Sequence, residues 1–375
     1  MLFTAVVFLV LLSILVFVHE LGHFLLAKKA GIKVEEFGLG LPPRIWGKKI
    51  GETIYSVNAL PIGGFVRLYG EEQPAFAPLS GASAGKGAFF AKSKKVRIAV
   101  VTAGVAMNFF LAVGAFSLIF LIRGIPTETE NIFVVGIAKD SPAQKSGLAV
   151  GDRIIQAGGK PVLSTDEFIK IVDENKGREI EMVLQRMPSS DLPAGKAGVE
   201  GLRLKVVPRE TPPEGEGPLG VAISQIEQKF YPFYQMPFFA LREGTGETLK
   251  WGGLVVGAVG KMVVELVGKG KIPQDMAGPV GIFQVTGVVA KEGWEAVLGF
   301  LGILSVNLAV INILPFPPLD GGKVLFIGLE AAFGKRVAPK IEKWVQTLGM
   351  ILLLLLLVLV TLNDISRLLS PVRPF

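Results

Sequence analysis

The chain contains no cysteine and only two histidines among its 375 residues. The lack of cysteine excludes thiol nucleophiles, disulfides and Cys-ligated metals, and it leaves the redox compartment undetermined. Any bound metal ion must therefore be held by His, Asp or Glu. Both histidines lie in one short stretch, at positions 19 and 23. This stretch is the first candidate for a metal site.

Charged residues are also missing from the first 18 positions, which form an unbroken apolar run. Half of all residues are hydrophobic and the mean hydropathy is +0.52, which is too apolar for an ordinary soluble protein of two domains. The composition therefore predicts a multispanning membrane protein with a soluble part. The first run is as hydrophobic as a signal peptide, but no convincing small-residue cleavage pattern follows it. We expect it to be retained as a helix.

The sequence His-Glu-Leu-Gly-His, from His19 to His23, lies near the end of this apolar run. On a helix, residues four apart point to the same side, so the two imidazoles would face one metal ion. Glu20 would lie beside them as a general base toward water. A five-residue pattern also arises by chance in soluble sequences. Here the chance alternative would bury three polar side chains in a membrane segment without partners, which favours the metal site.

Four stretches are long and apolar enough to cross a membrane. Between Lys28 and Arg97 there are 12 Lys/Arg against 5 Asp/Glu, an excess equal to the net charge of +7 of the whole chain. The positive-inside rule predicts that this loop is cytoplasmic and that the chain begins outside. Because the charge is concentrated beside the membrane, it does not predict nucleic-acid binding. The four stretches are Leu2–Ala27, Ile98–Ile122, Ala296–Leu314 and Trp344–Leu362.

A fifth apolar stretch, Trp251–Gly268, carries Lys261 and Glu265 on one face. This pattern predicts an amphipathic helix at the membrane interface rather than a fifth crossing. With four crossings, residues 323–343, which hold 5 basic and 2 acidic residues, lie inside as the rule requires. A fifth crossing would place this basic loop outside.

Two further segments have a structural and a functional interpretation. Strand-like runs on each side of Pro61–Gly64 predict a hairpin within Ile54–Gly70, which is either a plain structural element or a clamp for an extended substrate. Gly104 and Asn108 share one face of the second span. They either let helices pack closely or contribute to an active site.

The outside region contains strand-like runs at Asn131–Ile137, Glu179–Gln185 and Leu202–Val207, and a helix from Thr165 to Asn175. It resembles a bacterial PDZ domain through Ser141-Pro142-Ala143, Gly147-Leu148 and Gly151-Asp152-Arg153-Ile154-Ile155. Such domains bind peptide termini or extended segments by adding a strand to a sheet edge. A pure scaffolding role is the alternative.

A catalytic zinc site usually has three protein ligands, so a third ligand must join the two histidines. Without further His or any Cys, it must be a carboxylate. Asp320 is the carboxylate close to a span end, in the sequence Asn-Ile-Leu-Pro-Phe-Pro-Pro-Leu-Asp-Gly-Gly from Asn312 to Gly322. The predicted topology brings Asp320 and the histidines to the cytoplasmic side. We expect the prolines to stop the third helix and the glycines to free the backbone there.

Together these motifs resemble the site-2 protease family of intramembrane zinc metalloproteases, in particular the PDZ-containing bacterial branch typified by the regulator of sigma-E protease. The resemblance covers nearly the whole chain. It implies that Glu20 is the general base and that Zn²⁺ is bound by His19, His23 and Asp320. It also implies that Ala59–Glu71 is a membrane-associated β-loop and that Gly278–Gly281 is a family segment. The implied substrate-binding residues are Asn312, Asn108, Gly63, Gly64 and Phe65.

Two positions depart from the family pattern. Val105 stands where a proline is common in the second span, and Lys323 stands where many relatives have histidine. Neither departure removes a ligand.

The predicted fold is an α-helical polytopic membrane protein with four transmembrane helices, a membrane-associated β-hairpin and one inserted extracytoplasmic PDZ domain of α+β type. Both chain ends are expected outside the cytoplasm, in a bacterial inner membrane. The predicted segments are a first span with the histidines (1–27), a cytoplasmic loop with the hairpin (28–97), a second span (98–122), the PDZ domain (123–229), an interfacial helical segment (230–295), a third span with the aspartate (296–322), a cytoplasmic loop (323–343), a fourth span (344–362) and an outer tail (363–375).

The predicted function is zinc-dependent cleavage of the transmembrane segments of single-pass membrane proteins, such as anti-sigma factors or remnant signal peptides. The expected partners are these substrates, the lipid bilayer, and peptide termini or extended segments at the PDZ domain, with no nucleic acid. The alternative is a non-catalytic, membrane-anchored PDZ receptor, against which Glu20 argues because a structural metal site needs no base. A metal transporter is a weaker alternative, because carboxylates inside the other spans are nearly absent.

Overall fold

The computed structural model describes residues 1–71, 87–186, 199–213, 215–270 and 277–369. The chain forms two compact units. The first unit combines Met1–Ile122 with Pro237–Phe375, and the second is Arg123–Met236. The second unit is therefore inserted into the first, and only part of the predicted tail, up to residue 369, lies within the described residues.

Four helices are long and apolar enough to cross a membrane, which is consistent with the prediction of four membrane-spanning segments. The shortest has 20 residues and is about 30 Å long at 1.5 Å per residue, which matches the thickness of a bilayer core. Each helix begins or ends a few residues beyond its predicted bounds. They are α1 (Leu2–Lys29), α2 (Lys94–Arg123), α7 (Trp294–Ile313) and α9 (Pro339–Leu369).

Three other α-helices belong to the first unit, which is called the membrane unit below. α5 (Met236–Lys269) has 34 residues and begins well before the predicted Trp251. It is not among the four candidate spans. A short apolar helix, α6 (Pro279–Val289), follows it, and α8 (Asp320–Phe333) begins at the candidate ligand.

Helices α1 and α2 approach closely because a glycine of α1 lies where they meet. A Cβ atom on Gly22 would overlap the backbone carbonyl of Ala103. Glycine is needed here because only its missing side chain allows the two backbones to come this near. Phe116 of α2 packs against α7 at Gly302, where a Cβ atom would lie 2.8–3.1 Å from the Phe116 ring.

The N-terminus of α6 is bound by a carboxylate of α9. Asp364, which is 5% exposed, accepts hydrogen bonds from the backbone amides of Gly278 (3.1 Å) and Gly281 (2.8 Å). The first amides of a helix lack partners within the helix, so an acidic side chain from a neighbour stabilises them. Gly278 must be glycine because a Cβ there would lie 2.7 Å from the carboxylate.

The segment between α1 and α2 forms an antiparallel two-stranded sheet of β1 (Val34–Ile50) and β2 (Thr53–Leu68). The pairing differs from the predicted hairpin within Ile54–Gly70. Gly38 of β1 is in register with both Ser56 and Phe65, so each half of β2 pairs with β1 rather than with the other half. β2 stays one strand because Gly63, with a φ of 89°, accommodates the bend at its middle.

The connection from α7 to α8 is a short proline-containing turn. The prediction that the prolines end the helix agrees with α7 stopping at Ile313, but the predicted cytoplasmic loop 323–343 is helical up to Phe333. Gly321 and Gly322 do not free the backbone, because they lie in the first turn of α8. They allow this turn to pack on the chain before it, since a Cβ on Gly322 would lie 2.9 Å from the backbone nitrogen of Pro317.

The second unit consists of β3 (Ile125–Ile137), α3 (Pro142–Lys145), β4 (Arg153–Ala157), β5 (Lys160–Pro161), α4 (Thr165–Glu174), β6 (Ile180–Arg186), β7 (Val199–Val206) and β8 (Val221–Lys229). Its strands form a sheet in the order β7-β6-β4-β3-β8, in which β5 also pairs with β4. The three predicted strands and the predicted helix are present, and Ser164 caps that helix by accepting a hydrogen bond from the amide of Glu167 at 3.1 Å.

The core of the second unit includes Ile132, Ile154, Met182 and Leu184, each no more than 1% exposed. Asp152, in the Gly-Asp-Arg sequence, is buried beside this core. Its carboxylate accepts hydrogen bonds from the Arg186 guanidinium at 2.6 Å and from the amide of Ala149 at 2.9 Å. A buried carboxylate is costly without partners. These hydrogen bonds therefore allow an acidic residue at this buried position.

Candidate active site

The two histidines share one face of α1, and Asp320 reaches them from the first turn of α8. The Nε2 atoms of His19 and His23 are 3.2 Å apart. Oδ2 of Asp320 lies 3.1 Å from Nε2 of His19 and 3.3 Å from Nε2 of His23. The three residues each offer one ligand atom, all within 4.8 Å of one another.

The surroundings of this cluster fit a metal ion. Two imidazole nitrogens and one carboxylate oxygen form a donor set that is typical of catalytic zinc. Nδ1 of His23 donates a hydrogen bond to the carbonyl oxygen of Val100 at 2.8 Å, which leaves the lone pair of its Nε2 directed at the cluster.

The imidazoles occupy the space in which a side chain at Gly104 would lie. A Cβ atom there would overlap Nε2 of His23 and would lie 2.8 Å from Nε2 of His19. Gly104 therefore packs closely, as one of the two interpretations from the sequence held, and what packs against it is the histidine pair of the candidate site.

Glu20 lies between the histidines and strand β2. It lines a cavity of about 210 Å³ together with both histidines and Asp320. A Cβ atom on Gly64 of β2 would lie 3.4 Å from Cγ of Glu20, so the strand passes beside the Glu20 side chain. The cavity has room for water and for part of a polypeptide next to the three ligand atoms.

The predicted substrate-binding residues lie at different distances from this cavity. Phe65 lines it, a Cβ atom on Gly64 would lie 3.4 Å from Cγ of Glu20, and a Cβ atom on Gly63 would lie 3.5 Å from Cγ of Leu41 in β1. Asn312 is half-buried in the last turn of α7. The side chain of Asn108 is completely buried, with Nδ2 lying 3.2 Å from Nδ1 of His19. Neither asparagine lines the cavity.

Sequence reasoning missed an ion pair at the edge of the cavity. Nζ of Lys323 lies 2.7 Å from Oε1 of Glu71, and both residues line the cavity. Burial lowers the pKa of Lys323, but the nearby carboxylates of Glu71 and Asp320 outweigh it, so the pKa is raised above its usual value. The sequence signal for a lysine beside the ligands was the position of Lys323, three residues after Asp320 on a helix.

A second missed pair holds α8 against α2. The guanidinium of Arg97, whose side chain is 5% exposed, donates to both carboxylate oxygens of Glu330 at 2.7 and 2.8 Å. This hydrogen bonding lowers the pKa of Glu330. Because Asp320 begins the same helix, the pair fixes the helix that carries the third donor atom.

Comparisons with known proteins agree with this geometry. The family model of Peptidase family M50 matches residues 7–356. A putative zinc metalloprotease of Clostridium perfringens is 33% identical over 353 residues, covering 94% of this chain and 96% of that protein. The zinc metalloprotease RasP of Oceanobacillus iheyensis is 30% identical over 442 residues, covering 97% of this chain and 99% of that protein.

The regulator of sigma-W protease RasP of Bacillus subtilis is 29% identical over 440 residues, covering 97% of this chain and 99% of that protein. The family match spans more than half of the chain, and the relatives align over nearly their whole length. The chain therefore belongs to peptidase family M50, the site-2 protease family, and is a membrane-bound zinc metalloprotease.

Proposed function

We propose that this protease cleaves peptide bonds within or beside the transmembrane segments of single-pass membrane proteins. His19, His23 and Asp320 hold the zinc ion, and Glu20 is the general base. The convergence of these three donor atoms at the end of a membrane helix carries the proposal. Ionisable side chains on a helix that is suited to lipid are costly, so their presence there indicates a function at that depth.

The roles of the protein groups follow from the cavity. Bound zinc would polarise the scissile carbonyl and make water a better nucleophile at neutral pH. Glu20 lines the same cavity, so its carboxylate takes the proton of the attacking water and later gives it to the leaving amine. Lys323 lines the same cavity, so its ammonium would add positive charge on that side of a bound substrate.

Strand β2 is the proposed binding surface for an unwound substrate. A helical peptide bond is shielded by its own backbone hydrogen bonds, so the substrate must unwind before attack. Residues Gly64–Arg67 have β1 as their partner on one side, and Phe65 lines the cavity. An extended substrate can pair with the other edge of this stretch. Gly63 and Asn312 are the remaining proposed substrate contacts.

The second unit is proposed to be a PDZ domain on the outer side of the membrane. A groove of about 240 Å³ lies between α4 and the edge strand β8 and is lined by Phe168, Val172, Leu219 and Ile223. An extended peptide can add to the free edge of β8 with an apolar side chain in this groove. This unit would favour substrates whose outer domain has already been removed.

The topology and substrate class complete the proposal. The Lys/Arg distribution supports a bacterial inner-membrane protein with both ends and the second unit outside the cytoplasm. Anti-sigma factors and remnant signal peptides are the proposed substrate classes. The name of the Bacillus subtilis relative, a regulator of sigma-W protease, supports the first of these.

The decisive experiment replaces Glu20 by Gln in cells that also express a tagged single-pass membrane substrate. We expect Glu20→Gln to retain about one zinc ion per chain and to lose cleavage by at least about 10³-fold, because the base is removed and the ligands are kept. Glu292→Gln, at an exposed position outside the cavity, is the matched control and should cleave normally. Cleavage by Glu20→Gln at the wild-type rate would refute the mechanism. A wild-type protein that binds zinc but cleaves nothing would favour the non-catalytic receptor.

A further inference from the structure

The two candidate zinc ligands on α1 differ in the partner of Nδ1, the ring nitrogen that points away from the cluster. His23 donates from Nδ1 to a backbone carbonyl, which can only accept. The hydrogen of this ring is therefore fixed on Nδ1. His19 has no such carbonyl in the described part of the chain. The group at its Nδ1 is the side-chain amide of Asn108, at 3.2 Å.

Asn108 is held firmly in this position. Its side chain is completely buried in α2, and its backbone carbonyl accepts a hydrogen bond from Oγ of Ser305 in α7 at 2.8 Å. This bond joins the backbone of Asn108 to α7, and the side-chain amide faces the histidine ring. A buried amide in such a place is costly unless its polar atoms have partners.

One atom of this amide has no partner. Oδ1 of Asn108 is buried and makes no hydrogen bond with any described residue. A half-turn of the amide about its bond to Cβ would exchange Oδ1 and Nδ2, and Oδ1 would then face Nδ1 of His19. In that orientation Nδ1–H of His19 donates to Oδ1.

We propose that Asn108 is the positioning residue of His19. When His19 binds zinc through Nε2, its hydrogen must lie on Nδ1, and Asn108 accepts it. Without zinc, Nε2–H of His19 donates to Asp320 at 3.1 Å and Nδ1 accepts from Nδ2 of Asn108. An amide serves both states because it carries a donor and an acceptor, which neither a carbonyl nor a carboxylate does.

This inference rests on the proposed function, because it takes His19 to be a zinc ligand. It assigns Asn108 a role behind the ligand, whereas the sequence predicted a contact with substrate. The complete burial of Asn108 favours the positioning role.

The first test reads the hydrogen positions directly in the full-length protein. Because the chain has only two histidines, ¹⁵N-histidine labelling gives spectra of these two rings alone. With zinc bound, we expect both rings to carry their hydrogen on Nδ1. After chelation, we expect one ring to keep this form and the other to move its hydrogen to Nε2. A zinc-loaded protein in which either ring carries hydrogen on Nε2 would overturn the proposal.

The second test measures zinc affinity by competition with a chelator. Asn108→Leu, which has a similar shape and no acceptor, should bind zinc about 10- to 100-fold more weakly. Asn108→Asp, which only accepts, should restore most of this loss, because a carboxylate is a common partner of a zinc-bound histidine. Thr102→Val, which removes a hydroxyl that bonds to its own helix in α2, is the control and should bind normally.

The results separate this proposal from the proposed function. Wild-type affinity in Asn108→Leu, or equally weak binding in Asn108→Asp and Asn108→Leu, would overturn the positioning role. Zinc binding that survives His19→Ala would instead contradict the ligand set. If the Asn108 variants do not fold, the zinc-free wild-type protein still decides, because two rings that both keep their hydrogen on Nδ1 after chelation would overturn the role of Asn108 as the donor to His19.

Discussion

Two cavities of similar volume differ in chemistry. The cavity of the membrane unit, of about 210 Å³, is lined by two histidines, three carboxylate residues and a lysine. The groove of the second unit, of about 240 Å³, is lined mostly by apolar side chains and by the backbone of Gly217–Gly220. The more polar of the two cavities thus belongs to the unit whose helices are suited to lipid.

The difference shows which unit performs chemistry and which one is suited to binding. Ionisable side chains among apolar helices are costly, and they persist where partners and a function justify them. In the membrane unit Asp320 has the histidines as partners and Lys323 has Glu71. The groove has no comparable cluster among the described residues, and its apolar surface and strand edge suit peptide recognition. Three substitutions test this difference between the two units.

The largest effect is expected from Gly104→Ala. Its methyl group would overlap the imidazole of His23, so the two rings could not keep their positions. Zinc content should fall from about one ion per chain to below about 0.1, and cleavage should be lost. Metal analysis and a cleavage assay measure both.

Gly114→Ala, on the same helix, is the control, because a Cβ there would contact nothing in the described part of the chain within 4 Å. It should keep its zinc. Normal zinc content in Gly104→Ala would show that the site is less tightly packed than the helix crossing indicates.

A smaller effect is expected from Arg97→Met. This change leaves the Glu330 carboxylate, which is 16% exposed, without its partner and loosens α8 from α2. Arg97 is buried and Glu330 is partly buried, so removing Arg97 should cost more than the about 0–1 kcal/mol of an exposed pair and at most the about 3–5 kcal/mol of a fully buried one. Thermal unfolding of the detergent-solubilised protein should therefore occur at lower temperature. Zinc affinity should fall as well, because α8 carries Asp320.

Lys28→Met is the matched control, because the pair of Lys28 with Glu52 is exposed and is worth about 0–1 kcal/mol. If both variants unfold alike, the Arg97–Glu330 pair does not hold the site together.

The smallest effect is expected from Ile169→Glu in the groove. Ile169 is 51% exposed and lines the groove, so a carboxylate there should weaken binding of a fluorescent peptide with an apolar end about tenfold, which equals about 1.4 kcal/mol. Zinc content should not change. Val207→Glu, after the opposite edge strand β7, is the control. A loss of zinc in Ile169→Glu would mean that the two cavities are not independent.

The sequence predicted the site better than the fold around it. His19 and His23 follow from helical spacing, and Asp320 follows from elimination in a chain without cysteine. Both predictions use local patterns or simple counts. The geometry now brings the three side chains together.

Features that depend on distant contacts could not be predicted. Strand β1 contains glycines and two prolines and has little of the usual strand pattern; it is a strand because it pairs with both halves of β2. Gly321 and Gly322 suggested a flexible backbone, but glycine is required there by packing against the preceding turn. The partners Glu71 and Glu330 are more than 200 residues away from Lys323 and Arg97.

The contact between Asp364 and α6 bears on where the chain can be shortened. Hydropathy alone would end the last span at residue 362, and a truncation there would look harmless. It would remove the acceptor for the amides of Gly278 and Gly281 and leave two buried donors unpaired, at about 1–3 kcal/mol each. Residues just beyond the apolar stretch of α9 are therefore part of the folded membrane unit, and a tag or a fusion should be placed after them.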